Sequence, residues 1–405
     1  MKFVLYGFFL WRAVILLAAM TALAVFSYSI SFSYINALPP PNPLDYLYGL
    51  ANFDGIHYLR TVQEGYKAEF SQAFFPLYPV LIKTVGVFTF NNFLISGLII
   101  SNLSFLLGLM FFYKLAKEDF SEDTARWSTV FLLTFPTSFF FGAVYNEGLF
   151  FLLVVLGFYA GRKNRWLLAG IAGGLASATR FFGILLFPAL LLEFWQSFFR
   201  HSGPSVLSSG SKDLSRIGSW FNQNTGFRSR PVGGGAPRND KRGISLIWLG
   251  LIPMGLIAYM IWLKINYNDP LLFLNSLSSW QKEKFTFPLQ VFWRYLKIFT
   301  TVPVENYLFH VALFEFATAI SFGALSVYLF FRRPSYGLFS ALILLTVFST
   351  GTLTSLPRYV LVIFPAFIAL PLIFKTLKIR IAVVTVFLIV FAWSFARFIT
   401  GQWVA

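Results

Sequence analysis

Residues 93–113 read FLISGLIISNLSFLLGLMFFY, a run without a charged residue. Because a helix needs about 17 to 25 apolar residues to cross a bilayer core, this run predicts a transmembrane helix. Similar runs recur along the 405 residues, of which 57% are hydrophobic and 12% charged. A soluble domain carries about 25% charged residues, so this composition excludes a large soluble domain. We expect one all-α, membrane-embedded domain over residues 1–405.

The apolar runs predict a polytopic protein with about eleven transmembrane helices. The first run is too long for a signal-peptide core and lacks a small-residue cleavage pattern, so we expect it to be retained. The predicted spans are residues 8–30, 93–113, 127–145, 148–161, 165–179, 181–198, 244–263, 307–331, 336–354, 359–374 and 380–399.

Lysines and arginines indicate which ends of the spans face the cytoplasm. With a cytoplasmic N-terminus, most of the 32 basic residues fall on that side, including those in a Gly/Ser-rich segment, residues 199–242. We expect that segment to be a flexible basic loop. Residues 31–92 and 264–306 then form two large outer loops, whose proline-interrupted aromatic stretches predict juxtamembrane helices on the outer face. Membrane anchoring thus explains the net charge of +16, and we expect no nucleic-acid partner.

Ionisable residues near the outer ends of the spans are candidates for a functional site, because charge within a membrane is costly. Those at span ends are Glu147, Arg180 and Arg358, and those in the outer loops are Asp54, His57 and Asp269. Their convergence on one face predicts a polar cavity that opens away from the cytoplasm. The chain has no cysteine, which excludes disulfides and a cysteine nucleophile.

Several of these residues also have a plain structural interpretation. Arg180 and Arg358 could reach out to lipid phosphates, an interpretation that suits Arg397 better than a function does. Glu147 could form a structural ion pair with Arg180, and otherwise it is the second candidate for a catalytic carboxylate.

The remaining acidic residues have structural alternatives too. Asp269 precedes a proline and could be a helix N-cap, and Glu315 could be a buried partner or line the cavity. Asp54 could cap an amphipathic surface helix. However, Asp54, His57 and Tyr58 have the spacing i, i+3, i+4, which puts them on one helix face beside aromatic residues. Such a face suits a sugar or a lipid-linked phosphate.

Five stretches resemble the PIG-V type mannosyltransferases of the C-type glycosyltransferase superfamily. They are FDGIHYL (53–59) with EGY (64–66) and FFPLYP (74–79), YNEGLFFLL (145–153), ATRFFG (178–183), NDPLLFLNSLSSW (268–280) and SLPRYVLVIFP (355–365). Their order and spacing are more specific than any one motif. Three features depart from the family pattern: its Trp-Asp is Phe53-Asp54, its Ser-Glu is Asn146-Glu147, and residues 201–242 look like an insertion.

The resemblance implies a C-type glycosyltransferase fold and transfer of a sugar from a polyprenyl-phosphate donor, typically dolichyl-phosphate mannose, to a lipid or glycan acceptor. It also implies that Asp54 is the general base, which would take the acceptor's proton as its hydroxyl attacks the anomeric carbon. Fixed cations such as Arg358, Arg180 or His57 would stabilise the leaving phosphate. The implied donor- and acceptor-binding residues are His57, Tyr58, Tyr78, Tyr145, Glu147, Arg180, Asp269, Trp280 and Arg358.

The same reasoning leads to expectations about the stereochemistry of the reaction, its need for cofactors and its cellular location. One carboxylate acting as base predicts inversion at the anomeric carbon. The outer loops contain no Asp-x-Asp pair, so we expect no obligatory metal and no cofactor. Sugar transfer would occur on the non-cytoplasmic face, in the plasma membrane of a prokaryote or the endoplasmic reticulum of a eukaryote.

Two other functions remain open at this point. A transporter or flippase of lipid-linked sugars would use intramembrane charges as a substrate pathway, but such proteins concentrate charge near the midplane rather than at one face. An inactive scaffold in a glycolipid assembly complex is the other alternative, which an activity assay separates from a transferase.

Overall fold

The computed structural model describes residues 1–28, 46–68, 70–201, 246–277 and 285–404. Regular structure within these ranges is helical, without β-strands, which confirms the predicted all-α fold. The α-helices in chain order are α1 (Lys2–Val25), α2 (Tyr46–Gly49), α3 (Asp54–Glu64), α4 (Leu77–Gly86), α5 (Phe93–Asp119), α6 (Glu122–Thr134), α7 (Glu147–Arg162), α8 (Trp166–Thr179), α9 (Leu186–His201), α10 (Met254–Tyr267), α11 (Leu272–Asn275), α12 (Pro288–Thr301), α13 (Tyr307–Arg332), α14 (Pro334–Phe348), α15 (Leu356–Tyr359), α16 (Phe364–Ile373) and α17 (Leu377–Ile399).

Five helical segments among the described residues are long and apolar enough to cross a membrane: α1, α5, Trp248–Tyr267 with α10, α13 and α17. A sixth candidate is the pair Leu356–Val362 and Phe364–Ile373, which is bent by 86°. The predicted multi-pass membrane protein is therefore confirmed, whereas the total of eleven spans is not.

Several predicted spans are helices too short to cross the bilayer core alone. α8 and α14 have 14 and 15 residues, and at 1.5 Å per residue they reach only about 21 to 23 Å of a core about 30 Å thick. The predicted span 127–145 is interrupted, because α6 ends at Thr134 and a 3-10 turn follows at Ser138–Gly142. Pro136 lies between them, and proline disfavours helical continuation on both of its sides.

α5 and α7 pack along each other and approach closely at glycines. A Cβ atom on Gly148 would lie 2.6 Å from the carbonyl oxygen of Ser101, and one on Gly108 would lie 2.8 Å from Phe151 Cδ1. The backbone contact at Gly148 leaves no room for a larger residue. It therefore fixes the first turn of α7, where Glu147 lies.

The two predicted outer loops both contain helices, as expected, and they pack against each other. α3 and α4 belong to the first loop, and α11 and α12 to the second. Tyr267 Oη, in the second loop, donates a hydrogen bond to the carbonyl of Tyr66 at 2.7 Å, and Tyr259 Oη, in the preceding part of α10, donates to the carbonyl of Gln72 at 2.7 Å. The predicted flexible loop at 199–242, beyond His201, and the start of the first outer loop lie outside the described residues.

A buried group of ion pairs joins helix ends at the other end of α7. Arg162 lies 2.9 Å from Asp119 and 2.6 Å from Glu193, and Arg333 lies 2.5 Å from Asp119. The sequence predicted these arginines as markers of cytoplasmic span ends, but it did not predict their carboxylate partners. The group ties together the ends of α5, α7 and α13 and the middle of α9.

Candidate active site

Asp54 is the first residue of α3, and hydrogen bonds hold the loop before it. Tyr145 Oη donates to the carbonyl of Asn52 at 2.8 Å and accepts from the backbone N–H of Asp54 at 3.2 Å. Phe53 occupies the N-cap position with φ 60° and ψ −117°, a conformation that costs a bulky residue about 1 to 3 kcal/mol. The alternative in which Asp54 caps the helix is therefore wrong, because Phe53 holds that position and no side chain caps it.

Arg358 lies on the short helix α15 and contacts two carboxylates. Its Nη1 lies 2.5 Å from Asp54 Oδ2, and its Nε lies 3.5 Å from Glu147 Oε1. The start of α15 is held by Thr137, whose Oγ1 donates to the carbonyl of Pro357 at 2.5 Å. Arg358 thus joins two motifs that are far apart in the chain.

Glu147 and Arg180 form the ion pair that the sequence left as an alternative. Arg180 Nη2 lies 3.0 Å from Glu147 Oε1. Asn146 Nδ2 donates to the carbonyl of Thr179 at 2.9 Å, which ties the start of α7 to the end of α8. Four charges alternate in sign along this arrangement, and we call them the charge cluster: Asp54, Arg358, Glu147 and Arg180.

The charge cluster is electrically balanced and largely shielded from solvent. The side chains of Glu147 and Arg358 are 1% and 5% exposed, and those of Arg180 and Asp54 are 14% and 20% exposed. Removing a charge from water costs several kcal/mol unless a partner of opposite sign compensates it, so each member depends on its neighbours. The more open members, Asp54 and Arg180, are the ones that a ligand reaches first.

Aromatic rings pack over both guanidinium groups. The Cζ atom of Arg358 lies 5.4 Å from the ring centre of Tyr145 and 5.2 Å from that of Tyr359, and Arg180 Cζ lies 5.1 Å from Tyr359. A cation over such a ring face gains about 0.5 to 2 kcal/mol. Because both arginines are enclosed by rings and paired with carboxylates, the alternative in which they simply reach lipid phosphates does not describe this site.

His57 and Tyr58 share α3 with Asp54, as their spacing predicts. The His57 ring stacks on Phe74 with 5.1 Å between centres, and Tyr58 makes an edge contact with Tyr78 at 4.9 Å. Burial lowers the pKa of His57 below its usual value, although the Asp54 carboxylate opposes this shift. His57 is therefore a neutral hydrogen-bonding group at neutral pH, not the fixed cation considered for the leaving phosphate.

Tyr78 supports the site from within the bundle. Its hydroxyl lies 2.7 Å from Ser101 Oγ, which donates to the carbonyl of Tyr145 at 2.9 Å. Tyr145 in turn holds the loop before Asp54. These bonds connect α4 and α5 to the residue that places the predicted base, so Tyr78 acts on the loop and makes no hydrogen bond to the charge cluster.

Asp269 is a predicted binding residue that forms no described ion pair with the charge cluster. Asp269 Oδ1 accepts from the backbone N–H of Leu271 at 2.9 Å, and its Oδ2 accepts from Asn275 Nδ2 at 2.6 Å. The N-cap of α11 is Leu271, so Asp269 is not the helix cap that the sequence suggested. Trp280 lies outside the described residues.

Two further ionisable residues named from the sequence lie elsewhere. Glu315 is buried and accepts a hydrogen bond from Tyr295, which agrees with its interpretation as a buried partner. Arg397 Cζ lies 4.9 Å from the ring centre of Tyr307 and 5.4 Å from that of Trp393. Neither residue contacts a member of the charge cluster through a described ion pair.

Sequence reasoning missed the apolar side of the site. A narrow crevice beside Arg358 is lined by Phe53, Phe140, Tyr145, Phe398, Trp403 and Val404. The ring centres of Phe53 and Trp403 are 5.5 Å apart in an edge contact, which supports the strained residue before Asp54. No sequence motif marks Trp403, and its contact with Phe53 is apparent only in the structure.

Two solved structures resemble this fold at low sequence identity. One is the crystal structure of ArnT from Cupriavidus metallidurans bound to undecaprenyl phosphate, with 14% sequence identity and a TM-score of 0.47. The alignment spans 89% of this chain and 58% of that chain. The other is the Archaeoglobus fulgidus oligosaccharyltransferase complex with Zn and sulfate, with 14% sequence identity and a TM-score of 0.42. The alignment spans 96% of this chain and 53% of that chain.

Curated relatives match shorter parts of the sequence. GPI mannosyltransferase 2 of Drosophila pseudoobscura pseudoobscura is 31% identical over 117 residues, which are 26% of this chain and 26% of that protein. GPI mannosyltransferase 2 of Cryptococcus neoformans var. neoformans serotype D (strain JEC21 / ATCC MYA-565) is 27% identical over 163 residues, which are 38% of this chain and 36% of that protein. The chain thus matches well under two thirds of either relative.

A family model gives the broader match. The model described as Mannosyltransferase (PIG-V) matches residues 2–202, which include Asp54, Glu147 and Arg180. Three members of the charge cluster therefore lie within the matched region, at the motifs on which the sequence resemblance rested. Residues 2–202, just under half of the chain, match the PIG-V mannosyltransferase family.

Proposed function

We propose that the protein is an inverting glycosyltransferase that moves a sugar, with mannose as the first candidate, from a polyprenyl-phosphate donor to a lipid or glycan acceptor. The observation that carries the proposal is the charge cluster, in which the partly exposed Asp54 carboxylate contacts Arg358, and the buried Glu147 links Arg358 to Arg180. Sugar transfer from a phosphate needs these two groups: a base for the acceptor hydroxyl, and cations for the phosphate that leaves.

Asp54 is the proposed base. At 20% it is the most exposed carboxylate of the cluster, and it lies at the N-terminal end of α3 beside His57 and Tyr58. Its carboxylate would accept the proton of the acceptor hydroxyl as that oxygen bonds to the anomeric carbon. His57, neutral and buried beside Asp54, would orient a hydroxyl of the sugar or the acceptor by hydrogen bonding.

Arg358 and Arg180 are the proposed phosphate ligands. The bond between the anomeric carbon and the phosphate oxygen breaks with its electron pair on oxygen, and a fixed guanidinium stabilises the charge that develops. The Nη1 atom of Arg180 is buried and has no hydrogen-bond partner among the described residues, so it has a donor to offer. Arg358 offers a more rigid cation, because Glu147 and two tyrosine rings hold it.

The arrangement favours inversion over retention. A retaining mechanism needs a second carboxylate that is free to attack the anomeric carbon. Glu147 is the other carboxylate of the charge cluster, but it is 1% exposed and its Oε1 faces both arginines. A carboxylate held in this way supports cations and is poorly placed to form a covalent intermediate, so direct displacement follows.

We further propose that transfer occurs on the non-cytoplasmic face. The charge cluster lies at the start of α7, next to the two predicted outer loops, whereas the basic end of α7 carries Arg162 and Lys163. Positively charged span ends face the cytoplasm. The donor lipid would then lie in the outer half of the membrane with its phosphate at the level of Arg180.

Transfer from a labelled donor tests the proposal. The purified protein is incubated with radiolabelled polyprenyl-phosphate mannose and a membrane lipid extract, and labelled products are separated from donor. We expect mannose in a lipid or glycan product, strong loss of product with Asp54→Asn, and undiminished product with Glu64→Gln, an exposed acid on the same helix. A folded wild-type protein that transfers nothing, or an Asp54→Asn variant as active as wild type, would overturn the proposed chemistry.

A further inference from the structure

Arg358 would pair with two anions in the proposed reaction, the Asp54 carboxylate and the donor phosphate. In the structure it is already paired with Asp54. Its Nη1 lies 2.5 Å from Asp54 Oδ2, within charge-assisted hydrogen-bond distance. The donor phosphate needs the same guanidinium, and Asp54 needs free oxygen lone pairs to take a proton. The Asp54–Arg358 contact occupies the Nη1 donor and one carboxylate oxygen, so Asp54 and a phosphate compete for that donor.

The two carboxylates that contact Arg358 differ in how firmly they are held. Glu147 is 1% exposed, lies on the Nε side of Arg358, and is also bound by Arg180. Asp54 is 20% exposed and contacts the Nη1 atom of Arg358. An incoming phosphate therefore meets Asp54 first, and displacing Asp54 leaves Arg358 with Glu147 as partner.

The surroundings of Arg358 allow an exchange without movement of the arginine. Its Cζ atom lies 5.6 Å from the ring centre of Phe140 and 5.4 Å from that of Tyr145. Asp54, in contrast, is the first residue of α3, and its one described ion pair is with Arg358. The guanidinium is thus the fixed element and the Asp54 carboxylate the one that can turn.

We propose that the donor phosphate displaces Asp54 from Arg358, and that this exchange frees the Asp54 carboxylate to act as the base. This inference rests on the proposed function and adds an order of events. The donor binds first and the acceptor is activated second. Without donor, the base is engaged with Arg358, so a water molecule or an acceptor hydroxyl in the site is not deprotonated.

The chemical step balances after the exchange. The acceptor hydroxyl oxygen bonds to the anomeric carbon while its proton passes to the free oxygen of Asp54. The bond from the anomeric carbon to the phosphate oxygen breaks, and the electron pair stays on the polyprenyl phosphate, whose charge Arg358 compensates. When that lipid leaves and Asp54 loses its proton to water, the Asp54–Arg358 contact forms again.

Equilibrium binding of a polyprenyl monophosphate, the leaving group, tests the exchange without any transfer. Because Asp54 competes with phosphate for Arg358, Asp54→Asn should bind this lipid about 10-fold more tightly than wild type, the lower range for one charge-assisted hydrogen bond. Asp54→Ala serves as a second variant if Asn fails to fold, and Glu64→Gln as the matched acid elsewhere on α3. Unchanged or weaker binding by both Asp54 variants overturns the exchange.

Two further binding measurements test whether the competition takes place at Arg358 and whether it is specific to the donor lipid. In an Arg358→Lys background the Asp54→Asn effect should shrink, because lysine lacks the Nη1 donor that both anions use; an undiminished effect there contradicts competition at Arg358. Phosphatidic acid offers a phosphate monoester on another lipid, and its binding should depend less on Asp54 than that of polyprenyl phosphate. Equal dependence would mean that the site takes any lipid phosphate, which overturns an exchange specific to the donor.

The outcomes remain distinct from those of the transfer assay. Mannose transfer by wild type together with no gain of lipid binding in Asp54→Asn leaves the proposed function standing and refutes the exchange. A gain of binding without any mannose transfer supports the exchange at a phosphate site and refutes the mannosyl donor.

Discussion

Replacing Glu147 by glutamine should lower the free energy of unfolding, and a second substitution, Arg180→Gln, should cost less in that variant than in the wild type. Glu147 is 1% exposed and its Oε1 lies 3.0 Å from Arg180 and 3.5 Å from Arg358. Glu147→Gln leaves two arginines with one carboxylate, Asp54. Removing one partner of a buried ion pair costs about 3 to 5 kcal/mol, and we expect a loss in the lower part of this range because Arg358 keeps Asp54.

Arg180→Gln provides the matched second change. It should cost less than Glu147→Gln, about 1 to 3 kcal/mol, because Arg180 is 14% exposed and Glu147 keeps Arg358. The double variant has one arginine and one carboxylate left, so it is again balanced. The destabilisation of the double variant should fall short of the sum of the two single losses by about 0.5 to 3 kcal/mol, the range for coupled neighbours.

Unfolding in mixed detergent and SDS micelles, followed by tryptophan fluorescence, measures all four proteins of this cycle. Glu305→Gln, an exposed acid in the loop before α13, controls for a general effect of removing a carboxylate. Strictly additive losses would refute the charge cluster as a coupled unit. A Glu147→Gln variant with unchanged stability and no activity would instead make Glu147 the base.

Three other predictions concern the base, the histidine and the orientation. Asp54→Asn should lower turnover of radiolabelled donor by about 10²-fold to 10⁴-fold, the contribution of a general base, and less than a twofold change would exclude that role. Because burial lowers the pKa of His57 in the folded state, the unfolded chain binds more protons as the pH falls below 6.5. Unfolding free energy should therefore drop between pH 7 and pH 5 in wild type and drop less in His57→Gln; equal slopes would contradict a buried neutral His57. In this cysteine-free chain, Glu64→Cys should react with an impermeant thiol reagent in intact cells and Glu118→Cys should not, and the reverse pattern would invert the predicted topology.

Hydrophobic patterning predicted the fold class and the approximate positions of the helices, but not which of them span the membrane. The apolar run at 336–354 resembles a span in composition, yet α14 ends at Phe348 after 15 residues. The 86° bend between Leu356–Val362 and Phe364–Ile373 also escaped the pattern, because both sides of it are apolar. Periodicity reports burial, whereas helix length and bending depend on neighbouring helices.

The sequence predicted which charged residues form the site, but not how their side chains contact one another. Scarcity of charge singled out Asp54, Glu147, Arg180 and Arg358, and the structure brings these four together. The sequence did not indicate which carboxylate is deeply buried, since both are the first residues of helices. Nor could it indicate Trp403, whose contact with Phe53 depends on the three-dimensional path of α17.

The contact between Asp54 and Arg358 joins residues 304 positions apart, and this separation bears on how the protein is made. At a synthesis rate of about 5 to 20 residues per second, Arg358 leaves the ribosome roughly 15 to 60 seconds after Asp54. During that interval Glu147 and Asp54 have only Arg180 of the charge cluster to balance them. A chain that ends before Arg358 therefore has two carboxylates and one arginine in this cluster, which becomes balanced only late in synthesis.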